Sequence, residues 1–252
     1  MRLVRGVVFD LGHTLAYLNR PWEEVAEEGA QQMTDYLTAQ GFDLPQDFPE
    51  RWLAARVFAE RKANEEQEEM TANQTLAFLL RLHSLSNVPQ VTIHTAVDVY
   101  FEPELAAWTP FDDAVSTLAE LSSRHYRLGI ISNASCDRLV QRIVDRCGIR
   151  SYLDVIVSSA AVKWRKPRVE IFRFVLGRWD LLPYEVVMVG DMLGTDIRGA
   201  QETGMLSILM ANRSHPDNEN HADVHPDATI TRLQDAIPII ERWTSEARIR
   251  IL

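Results

Sequence analysis

The sequence predicts an α/β fold in which a doubly wound parallel sheet is interrupted by an inserted, all-helical domain. Beyond residue 110, short apolar runs alternate with helical patterns, which is typical of βαβ units in a parallel sheet. Between residues 17 and 109 the pattern is helical almost throughout. A short apolar run over 4–9 precedes this stretch and resembles a buried strand, so we expect it to join the later sheet.

These patterns divide the chain into a discontinuous sheet domain, residues 1–16 and 110–252, and a helical insertion, residues 17–109. Apolar residues in the insertion recur at the spacing of amphipathic helices. The predicted helices of the insertion cover 21–37, a stretch from 48 into the charged run 60–69, 72–85 and 92–101. Gly41 follows the first of them, at a position where glycine commonly ends a helix.

The sheet domain continues with alternating elements after residue 110. Its predicted strands are 127–131, 154–157, 186–189, 206–209 and 229–230. Its predicted helices are 112–122, 137–147, 171–179, 196–203 and 233–243. The polar segment 212–227 contains His215, His221 and His225 at a spacing that fits no common metal site, so it predicts an exposed loop.

Composition limits the classes of function. With 46% hydrophobic and 25% charged residues the chain is an ordinary globular protein. Its net charge of −10 disfavours nucleic acids and anionic membranes as partners, and an anionic substrate would need local positive charge or a metal ion. The two cysteines form no disulfide framework, and no signal peptide or membrane-spanning run is apparent. We therefore expect a cytoplasmic protein.

Polar residues stand where three predicted strands end. Asp10, Ser132 and Asp191 each follow or close an apolar run. Ligands of open parallel sheets bind beyond the carboxyl ends of the strands, so these side chains are expected to face one crevice. Lys166 directly precedes Pro167, which suits the first turn of a helix, and is expected at the same edge.

The chemistry of these residue types is coherent. Carboxylates such as Asp10 and Asp191 are hard oxygen ligands that suit Mg²⁺. A carboxylate is also a nucleophile in enzymes that form aspartyl phosphates. Lys166 and the Ser132 hydroxyl are suited to hold phosphoryl oxygens, and a lysine together with a metal ion neutralises negative charge in the transition state.

Four segments carry these residues in order, and they resemble the motifs of haloacid dehalogenase (HAD) superfamily hydrolases with a helical, C1-type cap. FDLGHTL contains Asp10, IISNAS contains Ser132, and WRKPRVEIF contains Lys166. VGDMLGTDIRGAQETGM, which contains Asp191 and Asp196, is the most specific of the four. The motifs span nearly the whole chain. The resemblance implies a Rossmann-like core with the insertion as an all-helical cap domain.

The resemblance also implies an activity and a set of site residues. It implies Mg²⁺-dependent hydrolysis of the phosphoric monoester of a small metabolite, through an aspartyl phosphate on Asp10. The implied phosphate contacts are Ser132, Asn133 through its backbone, and Lys166. The implied metal ligands are Asp10, Gly12 through its carbonyl, Asp191 and Asp196. Asp196 is also placed to cap its own helix.

One position departs from the motif. Phosphatases of this family usually read D-x-D-G-T, whereas Gly12 stands here in place of the second aspartate and His13 in place of the glycine. In the family the second aspartate is the general acid and base, a role worth about 10²–10⁴-fold in rate. Either His13 or a cap residue takes over that role, or the chemistry differs.

The departure leaves two other classes of function open. One is a phosphonatase- or dehalogenase-type hydrolase of a C–X bond, but dehalogenases work without a metal ion. The phosphonate enzymes use a cap lysine, and the only cap lysine is Lys62, in a charged helix. The other is a protein that binds a phosphorylated ligand or a partner without catalysis. We expect Trp22, Trp52 and Trp108 to pack the cap, with one of them free to line the pocket. The sequence does not predict the substrate or the oligomeric state.

Overall fold

A computed structural model describes residues 4–213 and 216–249. The described residues form eight strands: β1 (Gly6–Phe9), β2 (Ala16–Leu18), β3 (Trp108–Pro110), β4 (Arg127–Ser132), β5 (Val155–Ser158), β6 (Val186–Gly190), β7 (Leu206–Met210) and β8 (Ala228–Ile230). Six of them form the main sheet in the order β5-β4-β1-β6-β7-β8, and every neighbouring pair is parallel. The predicted strands and the parallel sheet are confirmed.

Ten helices accompany these strands in the described part of the chain. They are α1 (Trp22–Ala39), α2 (Phe48–Glu66), α3 (Ala72–Leu82), α4 (Gln90–Ala107), α5 (Ala114–Ser123), α6 (Asp137–Arg146), α7 (Ser159–Val162), α8 (Val169–Trp179), α9 (Arg198–Thr203) and α10 (Ala236–Ile249). Each predicted helix has a counterpart, and the four-residue helix α7 was not predicted. None of the described helices is long and apolar enough to cross a membrane.

The sheet is covered on both faces, as a doubly wound fold requires. Successive residues of β1 point to opposite faces, because side chains alternate along a strand. Val7 packs in the same apolar cluster as Leu118 of α5 and Val140 of α6, whereas Val8 packs with Phe172 of α8 and Ala200 of α9. The Rossmann-like core is therefore confirmed.

Helices α1 to α4 lie consecutively between β2 and β3 and share an apolar interior around Trp52. Gly29 of α1 lies against the backbone of α4, where an added Cβ atom would come within 2.0 Å of the Tyr100 carbonyl oxygen. Helix α4 is longer than predicted. Its interior contains Pro103, a residue that normally ends or kinks a helix, but Pro103 is buried and the helix continues to Ala107.

A two-stranded ribbon joins these four helices to the sheet. β2 and β3 pair antiparallel through only three residues each, from Ala16 opposite Pro110 to Leu18 opposite Trp108. No strand was predicted here, and the insertion is helical except at its base, where β2 and β3 lie. The ribbon spans the predicted boundaries of the cap, residues 17–109, and these domain limits stay a prediction.

The cap is held against the sheet domain by ion pairs along α6. Arg138 pairs with Asp98 at 2.7 Å, and Arg142 pairs with Glu102 at 2.8 Å. Arg146 donates to backbone carbonyl oxygens at the end of α4 and the start of β3. These contacts fix the α4 end of the helical insertion against α6 of the sheet domain.

Candidate active site

Three strand ends bring the predicted polar residues together. Asp10 follows β1, Ser132 closes β4, and Asp191 follows β6. Because β1 lies between β4 and β6 in a parallel sheet, the three residues meet at its carboxyl edge. Carboxylate oxygens of Asp10, Asp191 and Asp196 lie within 4.8 Å of one another. The three residues therefore lie together at one edge of the sheet, as predicted. Their catalytic roles stay predictions.

Lys166 lies at the centre of this cluster and is nearly inaccessible to solvent. Its Nζ atom forms an ion pair with Asp10, lies 2.7 Å from Oδ1 of Asp196, and donates to the Ile131 carbonyl oxygen at 2.9 Å. Burial lowers the pKa of Lys166, but the Asp10 and Asp196 carboxylates raise it by more, so its pKa lies above the ordinary value. The raised pKa favours the charged form of Lys166 beside Asp10.

Asn133 holds Lys166 in place through its side chain. The Asn133 amide nitrogen donates to the Lys166 carbonyl oxygen at 3.0 Å, and the Lys166 backbone nitrogen donates to the Asn133 side-chain oxygen at 2.8 Å. The family resemblance implied a phosphate contact through the Asn133 backbone. Its side chain fixes the loop that carries the lysine, while Ser132 and Asn133 both line the pocket around Asp10.

The acidic residues after β6 are fixed by a loop and by a distant segment. Asp196 lies in a single π-helical turn, Leu193–Ile197, and its Oδ2 atom accepts a hydrogen bond from the Met192 backbone nitrogen at 3.1 Å. The Asn218 amide donates to the Asp191 carbonyl oxygen at 2.7 Å and its oxygen accepts from the Leu193 nitrogen at 2.6 Å. Asp196 therefore lies in the turn before α9 and does not cap that helix as expected, because its carboxylate accepts from the preceding Met192 nitrogen and the N-cap of α9 is Ile197.

The prediction of an exposed loop over 212–227 holds for most of the described residues of this segment, but Asn218 is an exception. 3₁₀ turns cover Ala211–Arg213 and Pro216–His221, and Asn218 in the second of them is buried. A Cβ atom added to Gly194 would lie 2.3 Å from His221, so this histidine packs directly on the turn that carries Asp196. His215 lies outside the described residues. The polar composition suggested solvation, but the segment supports the site from behind.

The cluster fits a divalent cation by the chemistry of its donors. Three buried or partly buried carboxylates face a single lysine. Burial is the main reason that the pKa of Asp191 rises to about 8, with the charges of Asp10 and Asp196 adding to it. Burial also raises the pKa of Asp10 to about 6 against the opposing effect of Lys166. A hard cation with oxygen ligands would relieve this excess of negative charge.

This charge excess predicts how the stability of the metal-free protein depends on pH. The folded chain holds the Asp191 proton more tightly than the unfolded chain, in which the pKa is 3.8. The contribution of Asp191 to the free energy of unfolding is therefore fully present below pH 3.8, and it is lost as the pH rises through about 8. In a chelator we expect the free energy of unfolding to fall by about 2 kcal/mol between about pH 6 and about pH 9.

Asp191→Asn is the variant that tests this account, by urea unfolding in a chelator and in Mg²⁺. The variant should lose most of the pH dependence, be more stable than wild type at about pH 9 without metal, and gain nothing from Mg²⁺. A variant that is less stable than wild type at about pH 9 without metal would contradict the proposed charge excess.

Gly12 is covered by the base of the cap. A Cβ atom added at position 12 would lie 3.4 Å from Cη2 of Trp108, the first residue of β3. His13, with a positive φ of 54°, lines the same pocket, and its backbone nitrogen donates to the Ala16 carbonyl oxygen at 2.8 Å. The indole ring of Trp108 therefore occupies the space next to Gly12.

A cavity of about 300 Å³ lies between the carboxylate cluster and the cap. This volume is at the lower limit of the pockets that bind small ligands. Trp22 and Trp108 line it, whereas Trp52 is fully buried in the cap interior. The cap also contributes Arg56 and Glu104 to the lining. No pattern in the sequence pointed to these two residues, because helical periodicity does not show which side of an insertion faces a distant sheet.

The comparisons with known proteins agree with this geometry. Residues 7–210 match the family described as haloacid dehalogenase-like hydrolase. The glyceraldehyde 3-phosphate phosphatase of Methanocaldococcus jannaschii is 26% identical over 241 residues, which are 95% of this chain and 98% of that protein. The ribulose-1,5-bisphosphate 5-phosphatase of Halopiger xanaduensis is 27% identical over 92% of this chain and 93% of that protein.

Solved structures show the same fold. The 2-haloacid dehalogenase of Pseudomonas syringae superposes with a TM-score of 0.67 and is 25% identical, covering 96% of this chain and all 100% of that one. A HAD-hydrolase from Bacillus subtilis bound to magnesium has a TM-score of 0.59 at 21% identity, with 95% of this chain and 99% of that one covered. At that identity the second likeness shows the fold alone.

Proposed function

Because the chain belongs to the haloacid dehalogenase-like hydrolases, we propose that it hydrolyses the phosphoric monoester of a small metabolite through an aspartyl phosphate. The observation that carries the proposal is the arrangement around Asp10, a partly buried carboxylate that is paired with Lys166 and lines a cavity of about 300 Å³. Two relatives that align over nearly the whole chain bear the names of sugar-phosphate phosphatases. The proposed location is the cytoplasm, and nucleic acids and membranes are not proposed as partners.

Asp10 is the proposed nucleophile. One of its carboxylate oxygens attacks phosphorus, and the bond between phosphorus and the ester oxygen breaks. Water then attacks the phosphorus of the aspartyl phosphate, which releases inorganic phosphate and restores the carboxylate. Lys166, the Ser132 hydroxyl and the Asn133 backbone are proposed to hold the phosphoryl oxygens, and Lys166 would offset the charge that develops on them.

The proposed cofactor is Mg²⁺. Its proposed ligands are Asp10, the Gly12 carbonyl, Asp191 and Asp196, of which the three carboxylates are already clustered. When bound, the ion would polarise the phosphoryl group and neutralise part of its negative charge. The ion would also bring positive charge to a site in a chain whose net charge is −10.

A dehalogenase is the second candidate function, and Gly12 together with the likeness to the Pseudomonas syringae enzyme favours it. In that reaction Asp10 would attack carbon and no metal ion would be needed. The three clustered carboxylates argue for the phosphatase, because a metal-free reaction gives no physical reason to keep Asp191 and Asp196 together in a buried site. A non-catalytic ligand-binding protein is the remaining alternative.

The test is a panel of substrates with two readouts. Phosphate release is measured from glyceraldehyde 3-phosphate, glycerol phosphate, 4-nitrophenyl phosphate and phosphonoacetaldehyde, and halide release from 2-chloropropionate, each with Mg²⁺ or with a chelator. We expect Mg²⁺-dependent release of phosphate from the monoesters. Halide release without Mg²⁺, and no phosphate release, would establish the dehalogenase instead.

A further inference from the structure

Gly12 does not supply the proton donor that the second aspartate provides in the usual motif. An alkoxide is a poor leaving group, so a metabolite ester requires a proton on its bridging oxygen as the bond to phosphorus breaks. The second half of the reaction requires a base that takes a proton from water. A glycine side chain supplies neither function, and the ring above Gly12 is the Trp108 indole.

The Trp108 indole next to Gly12 is hydrogen-bonded to a carboxyl group. Nε1 of Trp108 donates a hydrogen bond to Oε1 of Glu104 at 3.2 Å. Glu104 lies one turn earlier, near the end of α4, and its side chain lines the cavity that also contains Asp10. The cavity therefore has the nucleophile at the sheet edge and a carboxyl group on the cap side, where the leaving group of a bound phosphate ester would lie.

We propose that Glu104 is a catalytic residue, which protonates the leaving-group oxygen and then accepts a proton from the water that hydrolyses the aspartyl phosphate. This inference rests on the proposed phosphatase function. In the first step the proton passes from the Glu104 carboxyl group to the departing oxygen, and in the second it returns from water to the Glu104 carboxylate. The residue ends the cycle in its starting state.

The surroundings of Glu104 suit such a group. Burial raises the pKa of Glu104, and the nearby Glu60 carboxylate on α2 acts in the same direction. The Trp108 N–H and the Arg56 guanidinium on α2 oppose these effects without cancelling them. Tyr100 on α4 is the other titratable neighbour, and its pKa is also raised by burial. The net result is a larger protonated fraction near neutral pH, as a general acid requires.

The other cap carboxylates of the pocket are less suitable. The Glu69 carboxylate is not available for proton transfer, because it accepts hydrogen bonds from both Arg165 and Ser159. Glu60 is exposed to solvent. Glu104 is partly buried and is held by a neutral donor, so it can lose and regain its proton without breaking an ion pair.

The test compares leaving groups in the Glu104→Gln variant. Glutamine keeps the side-chain oxygen that accepts from Trp108 but carries no acidic proton. For glycerol phosphate, whose alkoxide needs a proton, we expect kcat/KM to fall by about 10²–10⁴-fold. For 4-nitrophenyl phosphate, whose phenolate departs without one, kcat/KM should fall by less than about tenfold. Glu65→Gln, which removes an exposed carboxylate of α2 that does not line the pocket, is the matched control and should leave both substrates near wild type.

A second variant, Trp108→Phe, tests the same pair through the pH profile. It removes the N–H group that favours the carboxylate form, so the pKa of Glu104 should rise. Since a general acid acts in its protonated form, the basic limb of kcat/KM for glycerol phosphate should move to higher pH. An unchanged limb would count against the proposal.

Failure of this inference is distinguishable from failure of the proposed function. If wild type hydrolyses both esters and Glu104→Gln does so equally well, or loses the two activities by the same factor, Glu104 is not the acid although the phosphatase remains. If wild type releases no phosphate from 4-nitrophenyl phosphate, which needs no acid, the proposed function itself has failed and the inference falls with it.

Discussion

Asp10→Asn is expected to reduce kcat for phosphate release by about 10⁴–10⁶-fold, because the amide oxygen is too weak a nucleophile to form the covalent intermediate. The loss should not depend on the leaving group, since the variant cannot begin the reaction with any ester. The measurement is steady-state hydrolysis of 4-nitrophenyl phosphate in Mg²⁺, with urea unfolding to establish that the variant is folded.

The fold should survive this substitution for a structural reason. Lys166 keeps its ion pair with Asp196 and its hydrogen bond to the Ile131 carbonyl oxygen when the Asp10 charge is removed. Asp47→Asn, in which an aspartate at the exposed start of α2 is replaced, is the matched control and should retain full activity. Substantial turnover by a folded Asp10→Asn protein would remove Asp10 from the role of nucleophile.

Glu69→Leu is expected to destabilise the fold by about 3–5 kcal/mol, because it leaves the buried Arg165 guanidinium without its carboxylate partner. The side chains of Arg165 and Glu69 are only 8% and 2% exposed. Glu69 also accepts from Ser159, and Arg165 donates to Asn64 at 2.9 Å, so the pair joins the cap to the loop that carries Lys166. Urea unfolding monitored by tryptophan fluorescence measures the loss.

A double variant separates the cost of an unpaired Arg165 charge from the loss of the ion pair with Glu69. Glu69→Leu combined with Arg165→Met removes both charges, so it should recover most of the stability lost in the single variant. The control is Glu68→Ala, next along the chain, which breaks more exposed pairs with Lys163 and Arg168 and should cost at most about 1 kcal/mol. A loss in Glu69→Leu no larger than in this control would show that the buried pair does not secure the cap.

The sequence was sufficient to predict the part of the site that lies on the sheet. Asp10, Ser132 and Asp191 each end an apolar run, and parallel strands place all such ends at one edge. Lys166 could be located because it precedes a proline and a helix. The helices of the cap were also predictable, since their apolar faces repeat at helical spacing.

The rest of the site depends on contacts between segments that are far apart in the chain. Trp108 reaches Gly12, and Glu104 reaches the pocket, because the β2–β3 ribbon brings the end of the helical insertion back to β1. The ribbon strands have three residues each, too few to show a period of two. Asn218 is a polar residue in a polar segment, and only its partners at Asp191 and Leu193 distinguish it from a surface residue.

The covalent step on Asp10 can be detected by capture of the aspartyl phosphate. Enzyme turning over 4-nitrophenyl phosphate in Mg²⁺ is quenched in acid and reduced with borohydride, which converts an acyl phosphate of aspartate into homoserine. Peptide mass spectrometry then identifies the reduced residue. The account predicts homoserine at position 10, absent without substrate and absent in Asp10→Asn. An enzyme that releases phosphate while residue 10 remains aspartate in every peptide would contradict it.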